Sequence, residues 1–208
     1  MIVSAELLKK EKEPKIYTLK EYLKKEGKTV DKHEYFDGEI VKLPPSKFYP
    51  NLLSTNVNFL IKNAVSSLSE KFFVVGKSQK IYIESENSSV YPDGLVVSEA
   101  PIFYGNQEFL LTNPLLIVEV LSRSTQSYDR NGKFELYANL PSLHEYVLVD
   151  PRKYFVETRF REEPDLWRIK TEKDVNQSVL LRSLPVTIAL SDIYEHVVFP
   201  ERKSTRRR

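Results

Sequence analysis

The chain has 208 residues, with 31 basic and 29 acidic side chains, a net charge of +2, 41% hydrophobic and 29% charged residues, and no cysteine. That composition excludes a disordered chain, a disulfide framework and a thiolate zinc site, and so balanced a charge does not by itself announce nucleic-acid binding. No window approaches the roughly 20 apolar residues of a bilayer span, and the start MIVSAELLKKEKEPK lacks a signal-peptide apolar core, so a soluble cytoplasmic protein without a membrane partner is expected.

The expected organisation is one domain over residues 1–200, opening with a helix and hairpin at about 16–43, and a basic tail at 201–208. In TLKEYLKKEG, Thr18 and Glu21 have capping-box spacing, Leu19, Tyr22 and Leu23 form one apolar stripe, and Gly27 marks the stop. HEYFDGEIVKL places Asp37-Gly38 between two strand-like runs, a hairpin signal. After the prolines of LPPSKFYP, apolar residues recur at helical spacing from about Asn51 to Leu68. FFVVGKSQKIYIE (72–84) reads as a strand, PDGLVVS (92–98) as a second and NPLLIVEVLS (113–122) as a third, apolar enough to be covered on both faces. A helix capped by Asp129 carries Leu136, Tyr137 and Leu140, and HEYVLVDP (144–151) is another buried strand. An edge hairpin and a closing segment follow. This order describes an α/β (α+β) protein with a mixed sheet flanked by helices.

Glu119 interrupts an apolar strand. A buried carboxylate needs a cation, a proton or hydrogen bonds, so Glu119 is a metal ligand, half of a structural ion pair, or at a strand end more exposed than it looks. Alternate residues of a strand share a face, which groups Leu115, Ile117, Glu119 and Leu121, and on the preceding strand Asp93, Leu95 and Val97. If the two strands are neighbours, Asp93 and Glu119 lie side by side, and a divalent cation would relieve their repulsion. The bland alternative for Asp93 is a Pro-Asp-Gly turn residue. Lys133 shares the buried helix face of Leu136, Tyr137 and Leu140, which aims its ammonium at the sheet; a snorkelling lysine is the alternative. Two carboxylates and a cation suit phosphate hydrolysis. Ser122 and Thr125 shape the turn after the strand, and His33, His144 and His196 stand isolated in sequence.

The stretches TLKEYL, HEYFDGEIV, YPDGLVV and NPLLIVEVLSRSTQSYDRNGKFELYANLPSLHEYVLVDP resemble the Uma2 family of restriction-endonuclease-like proteins, from Thr18 to Pro151, with an echo in LSDIYE. The most specific block is E-V-L-S-x-x-T followed by D-x-x-x-K-x-x-x-Y, here Glu119, Val120, Leu121, Ser122, Thr125, Asp129, Lys133 and Tyr137. The family is placed in the PD-(D/E)xK nuclease superfamily. The resemblance therefore implies a restriction-endonuclease-like core and a Mg²⁺- or Mn²⁺-dependent endonuclease acting on nucleic acid, DNA foremost. By the same resemblance Asp93, Glu119 and the backbone carbonyl of Val120 would bind the metal. The position two after the glutamate is Leu121, not lysine, so Lys133 would fill that role. A further acid from an N-terminal element is implied: Glu39 is preferred as a catalytic residue, and Glu34 is the candidate metal ligand, against the plain alternative of exposed hairpin acids. The histidine that relatives carry at the start of the long helix is absent, Tyr49 and Pro50 standing there. A homodimer fits duplex cutting. The competing class is a nuclease-like domain that binds nucleic acid or a partner protein without cutting. A metal-free pair of catalytic acids would instead need them about 5 to 10 Å apart.

Overall fold

A computed structural model describes residues 15–121 and 131–200. Helix α1 (Leu19–Glu26) has the reciprocal Thr18–Glu21 capping box, buries Tyr22 and leaves Lys20, Lys24 and Lys25 in solvent. Its last residue, Glu26, is also buried, and Gly27 closes the helix in ordinary right-handed geometry. Strands β1 (His33–Phe36) and β2 (Glu39–Lys42) form the hairpin, with Asp37 and Gly38 at φ 40° and 101° as a tight two-residue turn between twisted strands requires.

Helix α2 (Phe48–Val65) starts before the expected Asn51 and stops short of Leu68. Pro50 falls in its first turn, where a backbone N–H has no helical acceptor, so this proline is compatible with a helix it would break further in. The expected strand at 72–84 is two: β3 (Phe72–Gly76) and β4 (Lys80–Ile83). The N–H groups of Ser78 and Gln79 both return to the Gly76 carbonyl in a tight turn that sends the two strands into different sheets.

The remaining elements are β5 (Ser88–Val90), β6 (Gly94–Ser98), β7 (Leu110–Leu111), β8 (Leu116–Val120), α3 (Lys133–Ala138), β9 (Glu145–Val149), β10 (Val156–Glu163), β11 (Leu166–Glu172), β12 (Ser178–Leu181), β13 (Val186–Ala189) and α4 (Leu190–Ile193). The expected Asp129 cap, with Ser122 and Thr125, lies outside the described residues. The larger sheet has the order β11-β10-β9-β8-β6-β3, antiparallel except for the β8–β9 pair. A second sheet has the order β2-β1-β5-β4-β7, and β12 pairs with β13.

Both faces of the larger sheet are apolar, which is why β8 and β9 are buried at every position. On one face, Val96, Leu116, Val118 and Val147 meet Leu53, Val57 and Ile61 of α2 together with Val179, Ile188 and Ile193. On the other, Leu95, Ile117, Leu121 and Leu148 meet Tyr137 and Leu140 and, from the second sheet, Ile81, Ile83 and Val90. Fully burying one such aliphatic side chain is worth about 1.5–3 kcal/mol, so the two layers fix α3 and the second sheet against the face that carries Glu119. The result is the mixed-sheet α+β core with flanking helices. Among the described residues, no helix is long and apolar enough to cross a membrane.

Candidate active site

β6 and β8 are neighbours. Their antiparallel register pairs Leu95 with Ile117 and Gly94 with Val118, so Asp93, just before Gly94, and Glu119, just after Val118, come at the same end of the ladder. Directly opposed residues of an antiparallel pair point to the same face, and Leu95 and Ile117 show which: the layer shared with α3 and the second sheet. The Val120 N–H donates to Asp93 Oδ2 at 2.8 Å, so the first carboxylate is tied to the strand that carries the second.

Glu119 is 3% exposed. Its Oε1 accepts from Lys133 Nζ at 3.2 Å and from the Tyr137 hydroxyl at 3.0 Å. One turn of α3 separates these donors, so a single helix face delivers both. Burial, and after it the charges of Glu119 and Glu34, push the Tyr137 phenol well above its ordinary pKa; it keeps its proton and remains a donor. Lys133 Nζ also lies 3.1 Å from Glu34 Oε1 and 3.3 Å from the Tyr91 carbonyl. The Tyr91 N–H donates to the same Glu34 oxygen at 3.2 Å.

Of the residues singled out in the sequence, Asp93, Glu119, the Val120 backbone, Lys133 and Glu34 converge. Glu39, the preferred N-terminal acid, does not: it opens β2 opposite Phe36 with its side chain in solvent. Glu34, the other hairpin acid, is 2% exposed on β1 and reaches Lys133. Sequence reasoning took Tyr137 for plain core and passed over Tyr91. The i+4 spacing from Lys133 was the available signal for the first; for the second there was only its place two residues before Asp93.

The backbone of Asp93 is held from the opposite side. Ser54 Oγ and Asn58 Nδ2, one turn apart on α2, donate to its carbonyl at 2.8 and 3.0 Å. A Cβ on Gly94 would collide with the Asn58 amide, so glycine is what lets α2 approach this closely. Burial raises the Asp93 carboxyl pKa, while the Val120 N–H and the charges of Lys133, Lys77 and Lys32 pull it down.

The donors fit a hard divalent cation in type, since magnesium is held by one or two carboxylates with carbonyl and water oxygens. Lys133 is within ion-pair reach of both Glu34 and Glu119. Among the described residues, no three His, Cys, Asp or Glu side chains are placed to share one ion. Glu34 is held by Lys133 and the Tyr91 N–H.

The family model named Uma2, described as "Putative restriction endonuclease", matches residues 19–191. Two uncharacterized proteins of Synechocystis sp. (strain ATCC 27184 / PCC 6803 / Kazusa) are similar to the chain. One is 36% identical over 143 residues, covering 69% of this chain and 80% of the relative. The other is 32% identical over 180 residues, covering 86% and 92%. The crystal structure of "a putative nuclease belonging to DUF820" from Anabaena variabilis ATCC 29413 has the same fold. It superposes with a TM-score of 0.68 at 17% identity over 88% of this chain and 99% of that one.

Proposed function

The chain belongs to the Uma2 family of restriction-endonuclease-like proteins, and on that footing we propose that it is a metal-dependent endonuclease hydrolysing phosphodiester bonds of nucleic acid, DNA foremost. The observation that carries the proposal is the hydrogen bond that ties Asp93 to the strand of Glu119, through the Val120 N–H, with Lys133 bonded to Glu119. Asp93, Glu119 and the Val120 carbonyl would hold Mg²⁺ or Mn²⁺, which when bound supplies a Lewis acid for the phosphoryl oxygens and acidifies a water.

The chain's own groups prepare that chemistry. Val120 N–H fixes one oxygen of Asp93. Tyr137 and Lys133 fix Oε1 of Glu119, so its carboxylate cannot rotate freely. Glu34 and the Tyr91 carbonyl anchor the ammonium, whose charge lies where negative charge would develop on the phosphate. Apolar strands on both sides keep the carboxylates out of bulk water, which strengthens each of these interactions.

One observation favours the non-cutting alternative. Among the described residues, Glu34, Glu119 and the Tyr91 carbonyl already supply acceptors for the three N–H bonds of the Lys133 ammonium, so its donors are engaged within the protein. Calorimetric titration of Mn²⁺ into the wild type and Glu119→Ala, with cleavage assays on labelled DNA and RNA, separates the two. Binding heat and cleavage that both vanish in Glu119→Ala support the endonuclease. Absence of both in the wild type leaves a binding domain.

A further inference from the structure

Tyr91 has its backbone in the carboxylate site and its ring outside it. The hydroxyl donates to Glu26 Oε1 at 2.9 Å, and Glu26 also accepts from the His33 N–H at 3.0 Å and pairs with His33 Nδ1 at 2.9 Å. Two ammonium groups lie against the ring, Lys32 at 4.8 Å and Lys80 at 5.3 Å from its centroid.

Among the described residues, neither cation makes an ion pair with a carboxylate. Lys80 is 9% exposed, and among the described residues its ammonium meets ring faces rather than acceptors: Tyr91, Phe109 at 5.3 Å and Tyr22 at 6.0 Å. Lys32 donates to the Lys77 carbonyl at 2.7 Å and approaches Ser78 Oγ at 3.5 Å. Burial lowers the pKa of each, and the proximity of like charge lowers it further, Lys77 acting on Lys32 and Lys32 on Lys80; Glu26 opposes this in both. Aromatic faces offset only part of the cost of desolvating an ammonium. Adjacent cations, one buried and one half-buried, with Glu26 nearby but no carboxylate in ion-pair contact among the described residues, are arranged for an anion that arrives from outside.

The location names the anion. Lys32 stands two residues before Glu34 and Tyr91 two before Asp93, and the Lys32 and Lys77 charges both act on the Asp93 carboxyl. We propose that Lys32 and Lys80 form a phosphate subsite, gripping a backbone phosphate of the nucleic acid adjacent to the phosphodiester presented to Asp93 and Glu119. The subsite rests on the nucleic-acid assignment above and extends it to residues outside the carboxylate set. Its lysines act as point charges on a non-bridging phosphate oxygen, so it fixes the register of the strand without reading its sequence.

The test is the salt dependence of binding, measured by fluorescence anisotropy of a labelled oligodeoxynucleotide without divalent metal, so that no strand is cut. Each lost phosphate contact reduces the slope of log K against log salt by roughly 0.7–0.9. Lys32→Gln and Lys80→Gln are each expected to lose about one such step. Lys170→Gln, an exposed β11 lysine paired with Glu172, is expected to keep the wild-type slope. Lys32 is partly exposed, so Lys32→Gln carries the test if Lys80→Gln does not fold. Wild-type slopes in the folded variants overturn the subsite and leave the endonuclease proposal standing. A wild type that binds neither DNA nor RNA overturns both. Lysine-dependent slopes without cleavage under Mg²⁺ or Mn²⁺ keep the subsite and remove the endonuclease.

Discussion

Glu34 and Glu119, 85 positions apart in sequence and on different sheets, accept from the same buried ammonium, Lys133, at 3.1 and 3.2 Å. Neither carboxylate has bulk water to fall back on, so the lysine is a structural keystone as well as a candidate catalytic group. Lys133→Met keeps the stem and removes the charge, leaving two buried acids facing each other. Breaking a buried pair by removing one partner costs about 3–5 kcal/mol, and denaturant unfolding at neutral pH is expected to show a loss of that order. Adding Glu34→Gln to Lys133→Met should restore part of it. An unfolding midpoint equal to wild type in Lys133→Met would contradict the pairing.

The two hairpin acids should behave in opposite ways. Glu39→Gln changes a solvent-exposed side chain, for which a shift within about 0.5 kcal/mol and unchanged cleavage are expected. Glu34→Gln removes a carboxylate charge from Lys133 and weakens the acceptor that Lys133 and the Tyr91 N–H share. A loss of about 1–3 kcal/mol is expected, with reduced cleavage because the ammonium is freed to turn. Side-by-side thermal melts and nuclease assays decide it; equal effects would place the N-terminal acid wrongly.

What was legible in the sequence follows from period. A glutamate breaking an apolar strand, an aspartate one strand earlier and a lysine on the buried stripe of the next helix are each visible within a few residues, and sequential strands tend to pair. The choice between Glu34 and Glu39 was not visible. It depends on which hairpin strand the second sheet turns toward the first, a contact made through β5 and Tyr91. The break at Gly76 was hidden because apolar residues resume five positions on, at Ile81, although Gly-Lys-Ser-Gln is turn chemistry. β5 and β7 are too short to have a period at all. Ser54 and Asn58 looked like polar positions of an amphipathic helix, and only the packing of α2 on β6 shows their target.

That packing makes Gly94 a sensitive position. Gly94→Ala places a methyl group against the Asn58 amide, which is buried and already holds the Asp93 carbonyl. Overpacking of this kind costs about 1–3 kcal/mol, and displacing the Asp93 backbone is expected to lower Mn²⁺ affinity and cleavage together. Asn58→Ala in the same chain removes the obstacle. The double variant is expected to be more stable than the sum of the single losses, a coupling readable from a double-mutant cycle; simple additivity would show that the collision is relieved elsewhere.

Alkaline pH gives an independent check on the buried hydroxyls. Burial raises the phenols of Tyr22, Tyr91, Tyr137 and Tyr194, in Tyr91 reinforced by the hydrogen bond to Glu26, and Tyr82 is pushed up to about 12. Each folded pKa lies above the unfolded value of 10.0, so the folded chain retains protons that the unfolded chain releases. Stability from these groups is therefore intact below pH 10 and falls as pH rises beyond it, first across the window from 10 to about 12 set by Tyr82. A spectrophotometric titration should show the exposed tyrosines ionising promptly and reversibly. The buried set should appear only in a later, slower rise that coincides with loss of secondary structure by circular dichroism. Substituting Tyr137→Phe should remove one phenolate from the slow phase and none from the fast one. A single fast phase containing every tyrosine, with secondary structure intact, would mean that these hydroxyls are open to solvent and that Tyr137 does not hold Glu119.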